Sequence, residues 1–167
     1  MSFLTPVWNY IYALVHPSAR PDALMAARHR AFIAPRLLGS FAALASFPVY
    51  IAFRGVPSLL ELGVFGWLLA PILIAYFLSR TGRYESAHLL SALSLTGLVA
   101  VVAWCTGGIG SFAAIWLVVV PLEAALSASR RVVAMAAIFA LAAAAMLLSL
   151  SALDLQPPAA ASGPGPG

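Results

Sequence analysis

Lysine is absent from this 167-residue chain, and all nine of its basic residues are arginine. Charge of either sign is scarce. There are five acids, and charged residues make up 8% of the total, against about a quarter in a soluble domain. So few polar groups cannot cover a water-facing surface, which excludes an ordinary soluble globule. A single cysteine, Cys105, excludes an internal disulfide framework. It sits beside Trp104 in an apolar run and reads as packing. His16, His29 and His88 are scattered along the sequence, which gives a metal site no support. The first arginine is Arg20, so the basic n-region of a cleavable signal peptide is missing.

What is present is apolar: 63% of the residues. Five runs approach the roughly 20 residues a helix needs to cross hydrocarbon. They are Phe32–Phe53, Ser58–Ser79, Ser86–Trp104, Ser111–Ser127 and Val132–Leu153. The links RGVP, RTGRYE, CTGGIG and SASRR are short, so neighbours in sequence pack antiparallel in space. The expected fold class is an all-α membrane protein, a bundle of about five transmembrane helices preceded by an interfacial amphipathic helix. The expected organisation is a basic leading segment over residues 1–31, the bundle over 32–153 and a Pro/Gly/Ala-rich disordered tail over 154–167.

In the leading segment, Thr5-Pro6 reads as a cap followed by a proline at the first helical position. Val7, Trp8, Ile11, Tyr12, Leu14 and Val15 then recur at helical spacing, with Trp8, Tyr10 and Tyr12 suited to the headgroup layer. A helix packed on the bundle, or a frayed end, is the alternative. Ser18 is a plausible start for a second helix, with Asp22 in its first turn against the helix dipole. That helix is expected to run into the first span, with a kink near Pro35.

The basic excess of +4 sits at the ends of apolar runs, which suits topology anchoring rather than nucleic acid. Arg28 and Arg30, Arg80 and Arg83, and Arg130 and Arg131 mark alternate links as cytoplasmic. Arg54 alone marks the first outer link, and the third link carries no charge. This places the N-terminus inside and, after five crossings, the C-terminus outside.

Glu123 lies in the middle of the fourth run, two residues after Pro121, which is read as a second helix kink. It is about 10 Å inside the edge marked by Arg130, and Arg36 is about 9 Å inside the edge marked by Arg30. An ionised group near the middle of a span costs about 2.5–3.5 kcal/mol on insertion scales. An intramembrane charge pair between Arg36 and Glu123, structural or signalling, is therefore expected. Two rivals stand beside it: contact of Glu123 with Arg130 or Arg131, and a protonatable group on an ion pathway. Glu61 is expected to pair with Arg54, and His88 to make a headgroup or cap contact. TGGIGS reads as a tight glycine turn; it lacks the lysine of a phosphate-binding loop. Gly39, Gly63, Gly66 and Ala142–Ala145 favour close helix contacts, including contacts between protomers.

HPSARPDALMAARHRAFIAPRLLGS, FLSRTGRYESAHLLSALSLTGLVA and TGGIGSFAAIWLVVVPLEAALSASRRVV together resemble the membrane-embedded region of alphaproteobacterial sensor histidine kinases of the DivJ/PleC cell-cycle type. The resemblance covers about His16 to Leu150, and its most specific part is Gly107 to Arg131. It implies a sensor and anchor module in a two-component system, resident in the bacterial inner membrane and acting as a homodimer. The family's histidine box, asparagine box and nucleotide loop do not occur here, so no catalytic residue, cofactor or metal is expected. A kinase core or response regulator is a partner only of a full-length form. An even span number would be needed to reach such a core, so a truncated, split or fragmentary form is the expectation, with a genuine five-span protein as the alternative. A small carrier or channel using Glu123, and a scaffold recruiting a partner through Arg28 and Arg30, are the competing functions.

Overall fold

A computed structural model describes residues 4–153 and 155, and every regular element among them is helical. The eight α-helices are α1 (Leu4–Leu14), α2 (Ala23–Ala45), α3 (Phe47–Arg54), α4 (Leu59–Trp67), α5 (Leu69–Thr81), α6 (Tyr84–Cys105), α7 (Val119–Ala125) and α8 (Arg130–Ala152). Tighter 3-10 turns occupy Pro17–Ala19, Gly108–Gly110 and Phe112–Val118. Four stretches are long and apolar enough to cross a membrane: Ala23–Arg54, Leu59–Thr81, Tyr84–Cys105 and Arg130–Ala152. Only 11–33% of their most apolar windows is buried within the chain. The remaining apolar surface needs hydrocarbon around it, and the molecule is an all-α, multi-pass membrane bundle.

The fourth expected span takes a different form. Phe112–Ala125 is a shorter apolar helix, seven residues of 3-10 helix followed by the seven of α7. At about 2.0 and 1.5 Å per residue it reaches about 24 Å, against about 30 Å of hydrocarbon. Ile115, Val118, Val119 and Val120 are stiff at χ1 and weak helix formers. Pro121 falls in the first turn of α7, where its missing N–H is harmless. It therefore marks a change of helix type rather than a kink within one helix.

Elsewhere the prolines also act at element starts. Pro48 opens α3 just after the Ser46 break, and Pro71 lies in the first turn of α5, just after the break at Leu68. Pro35 is the exception, because α2 is unbroken through it. The expected interruption is found at Ser46 instead. Asp22, not Ser18, caps α2: its carboxylate accepts from the N–H groups of Leu24 and Met25 at 2.8 and 3.3 Å. Ser18 belongs to the 3-10 turn, and Thr5 lies inside α1 rather than before it.

The chain divides into two compact units, Met1–Ser91 and Ala92–Gly167. In the first, Phe32, Ile33 and Leu37 of α2 bury against Ile74, Ala75 and Leu78 of α5 and Ala87 of α6, with Leu14 of α1 beside them. Ile11 and Val15 are buried, while Trp8, Tyr10 and Tyr12 face outward. α1 thus packs against α2 and also presents an aromatic face. In the second unit α7 and α8 pack together. Val132, Ala136, Ala140, Ala143 and Leu147 form one buried stripe of α8 at helical spacing. A Cβ at Gly39, Gly63 or Gly66 would meet nothing within 4 Å, so these glycines do not serve close packing inside this chain. Of the tail, Leu155 alone is described: its carbonyl accepts from Trp104 Nε1 at 3.3 Å. The rest of the expected disordered segment lies outside the described residues.

Candidate functional site

Two of the three scattered histidines, His29 and His88, prove to be neighbours. One turn of α2 carries His29 and Phe32, and the first turns of α6 carry Tyr84 and His88. Residues three or four apart share a helix face, so each pair points the same way. The His29 imidazole stacks on the Tyr84 ring, centroids 5.6 Å apart. His88 meets Tyr84 edge-on at 4.7 Å and Phe32 at 4.6 Å. Both imidazoles are almost fully buried, 1% and 3% exposed. Among the described residues, His29 Nδ1 and both nitrogens of His88 find no hydrogen-bond partner. The expectation of a headgroup or cap contact for His88 is overturned: α2 covers the face of α6 that carries it. No group of three or more His, Cys, Asp or Glu among the described residues is placed to hold a metal.

Arg36 extends this cluster by one turn. Its guanidinium lies over the Phe32 ring, with Cζ 3.5 Å from the centroid. Nη2 donates to Ser91 Oγ at 2.9 Å and Nη1 to the Phe32 carbonyl at 3.1 Å. One end of the α2–α6 contact thus holds two imidazoles, two aromatic rings, a guanidinium and a hydroxyl.

A second polar group closes the link between α3 and α4. Glu61 accepts from Ser58 N–H at 2.7 Å and Ser58 Oγ at 2.9 Å, and its own N–H donates to Ser58 Oγ at 3.3 Å. This is a reciprocal cap of the α4 N-terminus. Tyr50 O–H also donates to Glu61, and Arg54 lies 3.6 Å away, as expected for that pair. The Ser58-Leu-Leu-Glu61 spacing is itself the sequence signal for the cap. Tyr50 has no such signal, because it arrives from the preceding helix.

Among the topology anchors, Arg28 and Arg30 are half-buried on α2, and Arg80 and Arg83 are exposed around the α5–α6 link. Arg80 Nε donates to Tyr76 Oη at 2.9 Å. Arg130 and Arg131 are exposed at the first two positions of α8. Glu123 is half-buried on α7, in the second unit, whereas Arg36 belongs to the first. The α5–α6 link carries one further tight contact. Gly82 adopts φ +67°, and a Cβ there would lie 2.8 Å from His16 Nδ1. Only glycine tolerates both conditions.

No protein-family model, no curated protein and no solved structure matches this chain.

Proposed function

We propose that the chain is a non-catalytic sensor and anchor module of the kind that precedes a two-component histidine kinase core. In this reading it resides in the bacterial inner membrane as a homodimer with its N-terminus in the cytoplasm. The supporting observation is the α2–α6 cluster, where His29 and His88 leave three ring nitrogens without hydrogen-bond partners. Each unmade bond at a buried polar group costs about 1–3 kcal/mol, so the packed arrangement is not optimised for stability alone. A displacement of α2 against α6 that brought these nitrogens partners would recover part of that cost. That is the property a signalling contact requires: two packings close in free energy. The pairing of Arg36 with Glu123 belongs to the same proposal as a second contact able to switch.

The test joins the whole chain to a histidine kinase core through one added transmembrane helix, which returns a five-span chain to the cytoplasm, and measures autophosphorylation in membranes. His88→Phe keeps the ring contacts and removes both nitrogens. It should lock kinase output at one level, whereas Leu141→Ala, on the exposed face of α8, should leave its range intact. Equal ranges in both variants would remove the basis for the reading. A double-mutant cycle on Arg36→Gln and Glu123→Gln tests the pair; strictly additive losses of folded protein argue against coupling.

One observation favours a carrier or channel as the second reading. Glu123 lies two residues beyond Pro121, in a helix that changes type. Interrupted apolar helices line the substrate sites of many transporters. Ion flux into vesicles that disappears in Glu123→Gln would favour that reading over the first. The scaffold alternative instead requires capture of a partner that depends on Arg28 and Arg30.

A further inference from the structure

We propose that the cleft between α1 and α2 binds the phosphate of an anionic lipid headgroup. This inference rests on the membrane fold and is independent of the sensor reading. The cleft is a cavity of about 490 Å³ lined by Tyr12, Ala13, Val15, Arg20, Ala26 and Arg30. Two guanidiniums therefore share one concave surface.

Each guanidinium is held in place by neutral groups. Arg20 Nε donates to the Val15 carbonyl at 3.0 Å and Nη2 to the Ala13 carbonyl at 3.1 Å. These carbonyls belong to the end of α1, where no further turn of helix supplies donors. Arg30 Nε donates to the Ala26 carbonyl at 3.2 Å, and its Cζ lies 4.5 Å over the Tyr12 ring. Among the described residues, Nη1 of Arg20 and both terminal nitrogens of Arg30 make no hydrogen bond. Among the described residues neither arginine forms a salt bridge with a carboxylate. The nearest acid in sequence, Asp22, uses Oδ1 to cap α2.

Two fixed planar forks beside an apolar wall, without a counter-charge, suit an anion with several acceptor oxygens and an attached hydrocarbon. A lipid phosphate has both features. The location agrees, because Trp8, Tyr10 and Tyr12 face outward on α1 and mark headgroup depth. The lipid chains would lie along the apolar outer face of α2, where Leu38 and Phe41 are exposed.

The experiment uses the full chain in neutral detergent, titrated with phosphatidylglycerol, phosphatidylcholine or inorganic phosphate and followed by native mass spectrometry. One saturable phosphatidylglycerol should bind, phosphatidylcholine much more weakly, and inorganic phosphate at equal concentration should not displace the lipid. Arg30→Gln should weaken phosphatidylglycerol about tenfold, and Arg28→Gln, which does not line the cleft, should have no effect. Arg30→Lys keeps the charge without the fork and should fall between. Unchanged helix content by circular dichroism keeps these comparisons valid, and Arg30→Lys serves if Arg30→Gln loses structure. Equal binding of both lipids, or equal weakening by Arg28→Gln, would overturn the site. Displacement by inorganic phosphate at equal concentration would overturn the lipid as its source.

Discussion

Residues 4–91 bring Phe32, Tyr84, two imidazoles and the Arg36 guanidinium into the packing of α2 and α6. In residues 92–152, by contrast, α8 buries mainly alanines, at Ala136, Ala140 and Ala143, and α7 adds Val120 and Ala124. The first contact is made from large rings and polar groups whose hydrogen bonds are only partly met. The second is made from small side chains that let helix backbones approach closely, the usual way to hold helices together in lipid. A small-residue contact tolerates little extra volume but asks nothing of polar chemistry. A polar aromatic contact can change partners, so the first unit is the place to look for switching.

The contrast breaks most sharply with Ala136→Leu. This position is fully buried, and forcing three carbons into a close-packed helix contact should cost about 3 kcal/mol. Denaturant titration of the purified protein in mixed micelles measures it. A loss as small as that from Ala134→Leu on the exposed side of α8 would show that the stripe is not tightly packed.

Next comes Gly82→Ala, with an expected loss of about 2 kcal/mol from the left-handed backbone and the His16 contact together. Removing the ring as well, in His16→Ala/Gly82→Ala, should recover part of the loss; no recovery would mean that the backbone alone is responsible. The second unit offers the opposite case. Ala128 sits at φ 56° without being glycine, so Ala128→Gly should stabilise by about 1 kcal/mol. Thermal unfolding of the two variants side by side should give shifts of opposite sign.

His88→Phe should also stabilise, by about 1 kcal/mol, because two buried nitrogens without partners are replaced by carbon, a gain largely offset by fitting the bulkier ring between Phe32 and Tyr84. The same denaturant titration reads it. A loss instead would indicate that the imidazole has a partner in the membrane, such as a bound water or lipid group.

Much of the fold was legible in the order of residues, and the exceptions are instructive. Four of the five apolar runs became long helices because length and hydrophobicity along a segment are local properties. The fourth run, 111–127, departed through its β-branched stretch and Pro121. Hydropathy does not register the resulting change in winding. Pro35 and Pro48 look alike in sequence, yet only the region of Pro48 marks a break. The Arg54–Glu61 pair was legible because a short link joins its members. The histidine cluster was not, because His29 and His88 lie on separate helices.

By itself, then, the sequence determined the solvent and the helical character of this protein. Too few charges to face water, with apolar runs near membrane thickness, leave backbone groups no partners except within helices. Only the tertiary structure decided that two imidazoles meet on one tyrosine ring and that Arg20 and Arg30 share a cleft. Those outcomes depend on the rotation and depth of one helix against another, which many weak contacts set together and no short stretch of residues encodes.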